Sequence, residues 1–240
     1  MEILQGLNQP KINENEYETK KRKILSAVEK DCWFWFKNFV YTLDFHNPNE
    51  KIRRFPPYAY LELMVNRWQY GNPYLLVAKS RKLLISWAVV NCYLWLAAYH
   101  AGEYILFQAQ KEEKAGWGGK DRGDPEALLS RAAFTLRNLP DWLQTWSKMS
   151  ISKKPPMITF THIVNGREIP STIHAISSDC EDFRQFTPTG IFADEMGFQD
   201  NAARAYGAAM PSLGRNCRYT GVSTFNGRNF FYLLVNDMEW

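Results

Sequence analysis

The chain has 240 residues, a formal net charge of +4 and 45% hydrophobic residues, which suits one large α/β domain, or a domain with an arm, around a sizeable core. Nine Trp, twelve Tyr and fifteen Phe exclude a disordered chain, and Cys32, Cys92, Cys180 and Cys217 have neither zinc-ligand spacing nor the density of a disulfide framework. The charge is too mild to identify a nucleic-acid partner, although a local basic face would permit one.

In chain order, the polar N-terminus carries no secretory signal, and residues 1–20 read as a flexible arm. Residues 21–45 read as a helix, entered through the basic run Lys20 to Lys23 and rich in aromatics from Trp33 to Phe36. A second basic cluster, Lys51 to Arg54, leads into the turn Phe55-Pro56-Pro57. Tyr58 to Tyr70 has helical spacing, Gly71-Asn72-Pro73 breaks it, and Tyr74 to Ala78 reads as a short buried strand. Leu83 to Tyr99 is nearly all apolar. Its length is at the lower edge of a membrane span, and Ser86 and Asn91 interrupt it, so it reads as the buried central helix of an α/β domain. Tyr104 to Ala109 is a second strand, and a charged, glycine-bearing stretch then leads to a helix over Pro125 to Leu139. Met157 to Val164 and Glu168 to Ile176 flank the hairpin signal Asn165-Gly166. Gly190 to Ala193 is a further strand, Asp200 to Leu213 a helix, and Arg218 to Ser223 a last strand. Strands alternating with helices predict an α/β fold with a mostly parallel central sheet flanked by helices.

Three segments carry candidate chemistry. Lys79-Ser80-Arg81-Lys82-Leu83-Leu84-Ile85-Ser86 stands between a strand and a helix, where a P-loop belongs. Aligned on Ser86, it lacks both glycines and the usual lysine, and Ile85 holds the lysine's position. Ser86 keeps the hydroxyl that holds magnesium. Backbone N–H groups at the helix start would cradle phosphate, and Lys79, at the head of the loop, would supply the missing charge, with Lys82 as the other candidate. Thr189 to Glu195 is an apolar strand ending in Asp194-Glu195, the Walker B pattern. There the Asp holds magnesium through water, and the Glu orients and deprotonates the attacking water. A buried pair of acids without a cation is costly, which also favours a metal site. Tyr219 to Gly227 holds a strand ending in Ser223-Thr224, whose small hydroxyls resemble those that couple hydrolysis to movement in translocating ATPases.

Taken in this order, the three segments resemble the large terminase family of tailed bacteriophages over roughly residues 50–235. Further matches are a strand ending in Gln before a polar helix start (Ile105 to Ala115), the hairpin Asn165 to Ile169, and Arg184, ten residues before Asp194. The resemblance implies a P-loop NTPase of the additional-strand, catalytic-glutamate type over 46–240, preceded by an arm and helix over 1–45. It implies ATP and Mg2+ as cofactors. Lys79 and Glu195 would act in catalysis, with Arg184 as a finger on a neighbouring subunit's nucleotide. Tyr58 or Tyr60 would stack on adenine, Ser86 and Asp194 would hold the metal, and Ser223 and Thr224 would couple. The implied partners are double-stranded viral DNA, a portal protein, a small terminase subunit and other copies in a ring, with no membrane, in the cytoplasm of the infected host cell. The basic runs at 20–23 and 51–54, with Lys153 and Lys154, are candidate DNA contacts. Departures are Gln185 where many relatives have Gly, and Leu84 at the second P-loop glycine. The family's C-terminal nuclease domain is not expected within these residues, nor is DNA cleavage. Two other readings are a helicase-type ATPase and a DNA-binding module with a decayed P-loop. An intact Asp194-Glu195 speaks against decay.

Overall fold

In the computed structural model, which describes residues 14–43, 51–118, 126–179, 185–214 and 217–236, the described chain opens on helix α1 (Glu14–Lys30). This helix buries only Ile24 and Val28, with Leu25 packed beside them against the core, and is mostly polar elsewhere. The single helix expected over 21–45 is instead two. Asp31 is extended, and its carboxylate accepts the Phe34 N–H at 2.8 Å, so it caps a new helix, α2 (Cys32–Phe39). The cap turns the aromatic run inward, and Trp35 and Phe36 are fully buried. After Val40 the chain is extended: β1 (Tyr41–Leu43) pairs antiparallel with β2 (Ile52–Arg54). The second basic cluster therefore includes a strand. Its Arg54 guanidinium donates to the Asn38 carbonyl at 2.9 Å and covers the Tyr41 ring.

Next come α3 (Ala59–Tyr70), β3 (Tyr74–Ala78), α4 (Ile85–Tyr99), β4 (Tyr104–Gln108), the short α5 (Glu112–Ala115) and α6 (Leu128–Arg137). Strands β5 (Lys148–Lys153), β6 (Pro156–Val164) and β7 (Arg167–Ile176) follow. Asn165 and Gly166 both take positive φ between β6 and β7, as a two-residue hairpin turn requires. Then come β8 (Gly190–Asp194), α7 (Ala202–Ala209), β9 (Arg218–Ser223) and α8 (Phe230–Asn236). The helix expected over 200–213 ends early, because Pro211 cannot continue it and Met210–Ser212 is a 3-10 turn.

Seven strands form one sheet in the order β3-β9-β8-β4-β7-β6-β5. The pairs from β3 to β7 are parallel, and β6 and β5 extend the sheet antiparallel. Strand β9 lies between β3 and β8, so the strand that feeds the lysine loop and the strand that ends in Asp194 are separated by one additional strand. Strand β3 is one edge of the sheet and only partly buried, whereas β8 is buried throughout. The expectation of a buried strand before Lys79 is corrected accordingly: an edge strand has neighbours on one side only.

Helix α4 is the centre of the core. Thirteen of its residues are buried, Ser86 and Leu96 excepted. It packs on the sheet face that carries Ile105 and Phe107. The intervening Leu106 points to the other face, where α7 and α8 bring Ala205, Phe231 and Leu234. Tyr93 of α4 lies so close to Gly190 that a Cβ there would sit 2.7 Å from its ring. Its hydroxyl donates to the Ile191 carbonyl at 2.8 Å and meets Thr220 Oγ1 at 3.1 Å, which satisfies a polar group that burial otherwise penalises. Among the described residues no helix is long and apolar enough to cross a membrane.

Candidate nucleotide-binding and catalytic site

The loop from β3 to α4 leaves the sheet with one more pairing, as the Lys79 N–H donates to the Ser223 carbonyl at 2.9 Å. Arg81, Lys82 and Leu83 are exposed, Leu84 is half-buried and Ile85 is buried. The position that usually holds the phosphate lysine therefore faces the core. Leu84, at the second glycine position, nonetheless takes the left-handed conformation (φ 58°, ψ 11°), and so does Lys82 (φ 65°). Each costs about 1–2 kcal/mol in a residue with a Cβ, so the loop keeps its turn against the local preference of its residues. Leu84 caps α4 with no side-chain bond, and no acid lies in the helix's first turn. The first N–H groups of α4 thus face the loop with a favourable field for an anion.

The end of β8 meets this loop. Ser86 Oγ donates to Asp194 Oδ1 at 2.8 Å, and Lys79 Nζ donates to Glu195 Oε1, also at 2.8 Å. The expected buried pair of acids is only half correct. Asp194 is 8% exposed, but the Glu195 side chain is 44% exposed, against 9% for Lys79. The reason is backbone geometry. Glu195 is left-handed (φ 52°, ψ 42°), which turns its carboxylate out of the strand's line toward the loop. Burial pushes the Asp194 carboxyl above the usual range. The Arg131 guanidinium and the Ser86 hydrogen bond oppose that, the Glu195 carboxylate adds to it, and Lys79 lowers it. A buried carboxylate and a hydroxyl side by side are hard oxygen donors, and these two residues would fit a magnesium ion.

The turn after Glu195 is tied to β9. Ser223 Oγ accepts the Gly197 N–H at 2.9 Å and donates to the Thr224 carbonyl at 2.8 Å, while Asn229 Nδ2 donates to the Gly197 carbonyl at 2.7 Å. Ser223 is fully buried, and its hydroxyl is engaged with backbone on both sides. The strand end therefore touches both halves of the site: its carbonyl holds Lys79, and its hydroxyl holds the turn that carries Glu195.

Tyr58 and Tyr60 stack with ring centroids 5.6 Å apart and are 49% and 40% exposed. Tyr60 OH donates to the Leu83 carbonyl at 3.2 Å, so the pair flanks the lysine loop. Arg184 lies outside the described residues. In the N-terminal basic run, Lys20 pairs with Glu16 and Lys21 with Glu18 on the same helix, whereas Lys153 and Lys154 are exposed. Sequence reasoning missed Arg131. It lies over the Trp87 ring, 5.6 Å from the centroid, and its charge acts on Asp194. Its one signal is a charge in the middle of helix α6, between apolar residues that are buried.

No family model matches the chain, and no curated protein matches it in sequence. Solved structures do match. The large terminase ATPase domain of Thermus phage P74-26 has a TM-score of 0.60 at 16% identity, covering 74% of this chain and 68% of that one. The HK97 bacteriophage large terminase has a TM-score of 0.57 at 13% identity, covering 90% of this chain and 40% of that one. The large terminase of another thermophilic bacteriophage has a TM-score of 0.50 at 9% identity, covering 70% of this chain and 39% of that one. At these identities the likeness is one of fold: the chain has the fold of phage large terminase ATPase domains. It spans less than half the length of the latter two proteins.

Proposed function

We propose that the chain is the ATPase motor domain of a viral large terminase, coupling Mg-dependent ATP hydrolysis to translocation of double-stranded DNA into a procapsid. The observation that carries this is the convergence of Lys79, Ser86, Asp194 and Glu195, drawn from two distant segments, at the N-terminus of α4. The N–H groups of the lysine loop and α4 bind the phosphates, and Lys79 neutralises the β/γ-phosphates. Tyr58 or Tyr60 stacks on adenine. Ser86 and Asp194 hold magnesium, which when bound neutralises charge on the phosphate oxygens. Glu195 takes a proton from water. The water oxygen bonds to the γ-phosphorus as the bond to the bridging oxygen breaks, and ADP carries away that electron pair. Arg184 of a neighbouring copy faces the developing charge, so the active form is a ring, assembled with portal protein and small terminase subunit in the cytoplasm of the infected host cell. Ser223 and Thr224 couple the site to movement. With the Ser223 hydroxyl engaged, they do so through the Lys79 backbone and the Gly197 turn.

Role separation supplies the test. Glu195 acts on water, whereas the loop and metal hold the nucleotide. Glu195→Ala should abolish ATP turnover in the assembled motor and leave ATPγS affinity within about threefold of wild type. Turnover that persists within about threefold would remove Glu195 from the catalytic role.

A further inference from the structure

The left-handed backbone at Glu195 is a conformation that residues with a Cβ seldom hold without support. Strand pairing supplies part of that support. On the β9 side it runs through Asp194, but on the β4 side it stops one residue earlier, at Gln108 opposite Ala193. Beyond that point a side chain takes over. Gln199 Nε2 donates to the Asp194 carbonyl at 2.8 Å. The Gln199 amide is itself held by Gln108, whose Nε2 donates to Gln199 Oε1 at 2.8 Å. Gln108 is 2% exposed and Gln199 6% exposed. Buried amides in such a chain have few alternative partners, so breaking one bond leaves a buried group unpaired. The chain of bonds also fixes direction: Gln108 can only donate to the oxygen of Gln199 if the Gln199 nitrogen faces Asp194.

We propose that Gln199 is a positioning residue for Glu195, oriented by Gln108, and that this amide relay holds the Asp194 carbonyl so that the next residue turns its carboxylate onto Lys79. The relay clamps the turn from the β4 side, as Ser223 and Asn229 clamp it from the β9 side. Without it the Glu195 backbone relaxes to an ordinary conformation and its carboxylate leaves the site, while Asp194, at the end of a buried strand, stays. The relay's catalytic meaning rests on the proposed role of Glu195; its geometric meaning does not.

Gln199→Glu is the sharpest variant. It keeps the acceptor for Gln108 and the side-chain volume but replaces the donor to the Asp194 carbonyl with an acceptor. Two readouts on the full chain separate positioning from packing. The first is the yield of a zero-length crosslink in nucleotide-free protein. A water-soluble carbodiimide condenses a carboxylate with an amine in contact, forming an isopeptide bond as the reagent becomes its urea, so the Lys79–Glu195 crosslink measures their contact. The second is kcat in the assembled motor beside ATPγS affinity. In Gln199→Glu the crosslink yield should fall at least about fivefold, and kcat should fall about 10- to 100-fold, as for a small misplacement of a reacting group, with affinity within about threefold. Crosslink yield and kcat both within about twofold of wild type would overturn the proposal, whatever the melting temperature does. So would a parallel loss of affinity and kcat, which marks general collapse of the site. If Gln199→Glu does not fold, Gln108→Leu breaks only the outer bond and should show the same pattern more weakly; an unchanged crosslink there would equally overturn it. A wild-type protein that neither binds ATPγS nor turns over ATP, with a crosslink still lost in Gln199→Glu, would keep the relay and refute the ATPase reading.

Discussion

The two lysines of the proposed phosphate loop can be separated by a substitution that should strengthen the fold. Lys82 is exposed at the loop's apex with φ 65°. A Cβ in that conformation costs about 1–2 kcal/mol, and glycine is free of the cost. Glycine also widens the unfolded ensemble, which takes back about 0.4–1 kcal/mol. The exposed side chain has little packing to lose, so Lys82→Gly should stabilise the protein by about 0.5–1 kcal/mol, or about 2 °C in Tm at this chain length. Lys82→Ala keeps the Cβ and should bring no such gain. Thermal melts of the full chain measure both. The same proteins in the assembled motor measure chemistry. Lys79→Ala should lower ATP turnover by about 10²–10³, the loss of one preorganised electrostatic contact, while Lys82→Gly should stay within about threefold of wild type. A Lys82→Gly protein that melts below wild type would refute the backbone argument. A larger loss of turnover for Lys82→Gly than for Lys79→Ala would reverse the assignment of the phosphate lysine.

Arg184→Ala should impair hydrolysis in the assembled motor far more than nucleotide binding by the free chain, because a finger acts on its neighbour's site. Rings mixed from Arg184→Ala and Glu195→Ala subunits should regain activity at interfaces that pair an intact Glu195 with an intact arginine, and mixed rings no more active than either parent would remove the trans role. Asp194→Asn should abolish Mg-dependent turnover yet raise Tm at neutral pH without magnesium. The sign follows from the raised folded-state pKa of Asp194: burial disfavours its charged form, so the cost is fully present above the folded value and fades as pH falls toward the unfolded value. The Tm advantage of the variant should therefore shrink on acidification through that window, and an advantage independent of pH would contradict it.

Much of this architecture is legible in the sequence. Tyr74–Ala78 and Arg218–Ser223 are strands with the predicted bounds, because each is a short run of β-formers closed by turn residues. Lys148–Lys153 carries no such signal. Its residues are mostly exposed, and only pairing with β6 makes them extended. The break at Asp31 is hidden because the aromatic run continues the helical pattern, while a single cap decides the geometry. At the site, the residue types of Lys79, Ser86, Asp194 and Glu195 are legible as motifs, but their partners are not. Lys79 and Glu195 are 116 residues apart, and their contact depends on a left-handed glutamate that no propensity suggests. Leu84 makes the loop look unlike a phosphate loop, although tertiary packing imposes the turn that glycine would have taken freely. Gln199 carries no signal at all, since its role exists only once β4 and β8 lie side by side.

The central claim is that the loop headed by Lys79 and the end of β8 together hold Mg-ATP, and a structure of the full chain with ATPγS and magnesium tests it most directly. The expected result is Lys79 Nζ within hydrogen-bond reach of the β/γ-phosphates and released from Glu195, the metal beside Ser86 and Asp194, and the Glu195 carboxylate facing a water in line with the γ-phosphorus. Nucleotide bound elsewhere, or Lys79 still paired with Glu195 while Lys82 reaches the γ-phosphate, would contradict it.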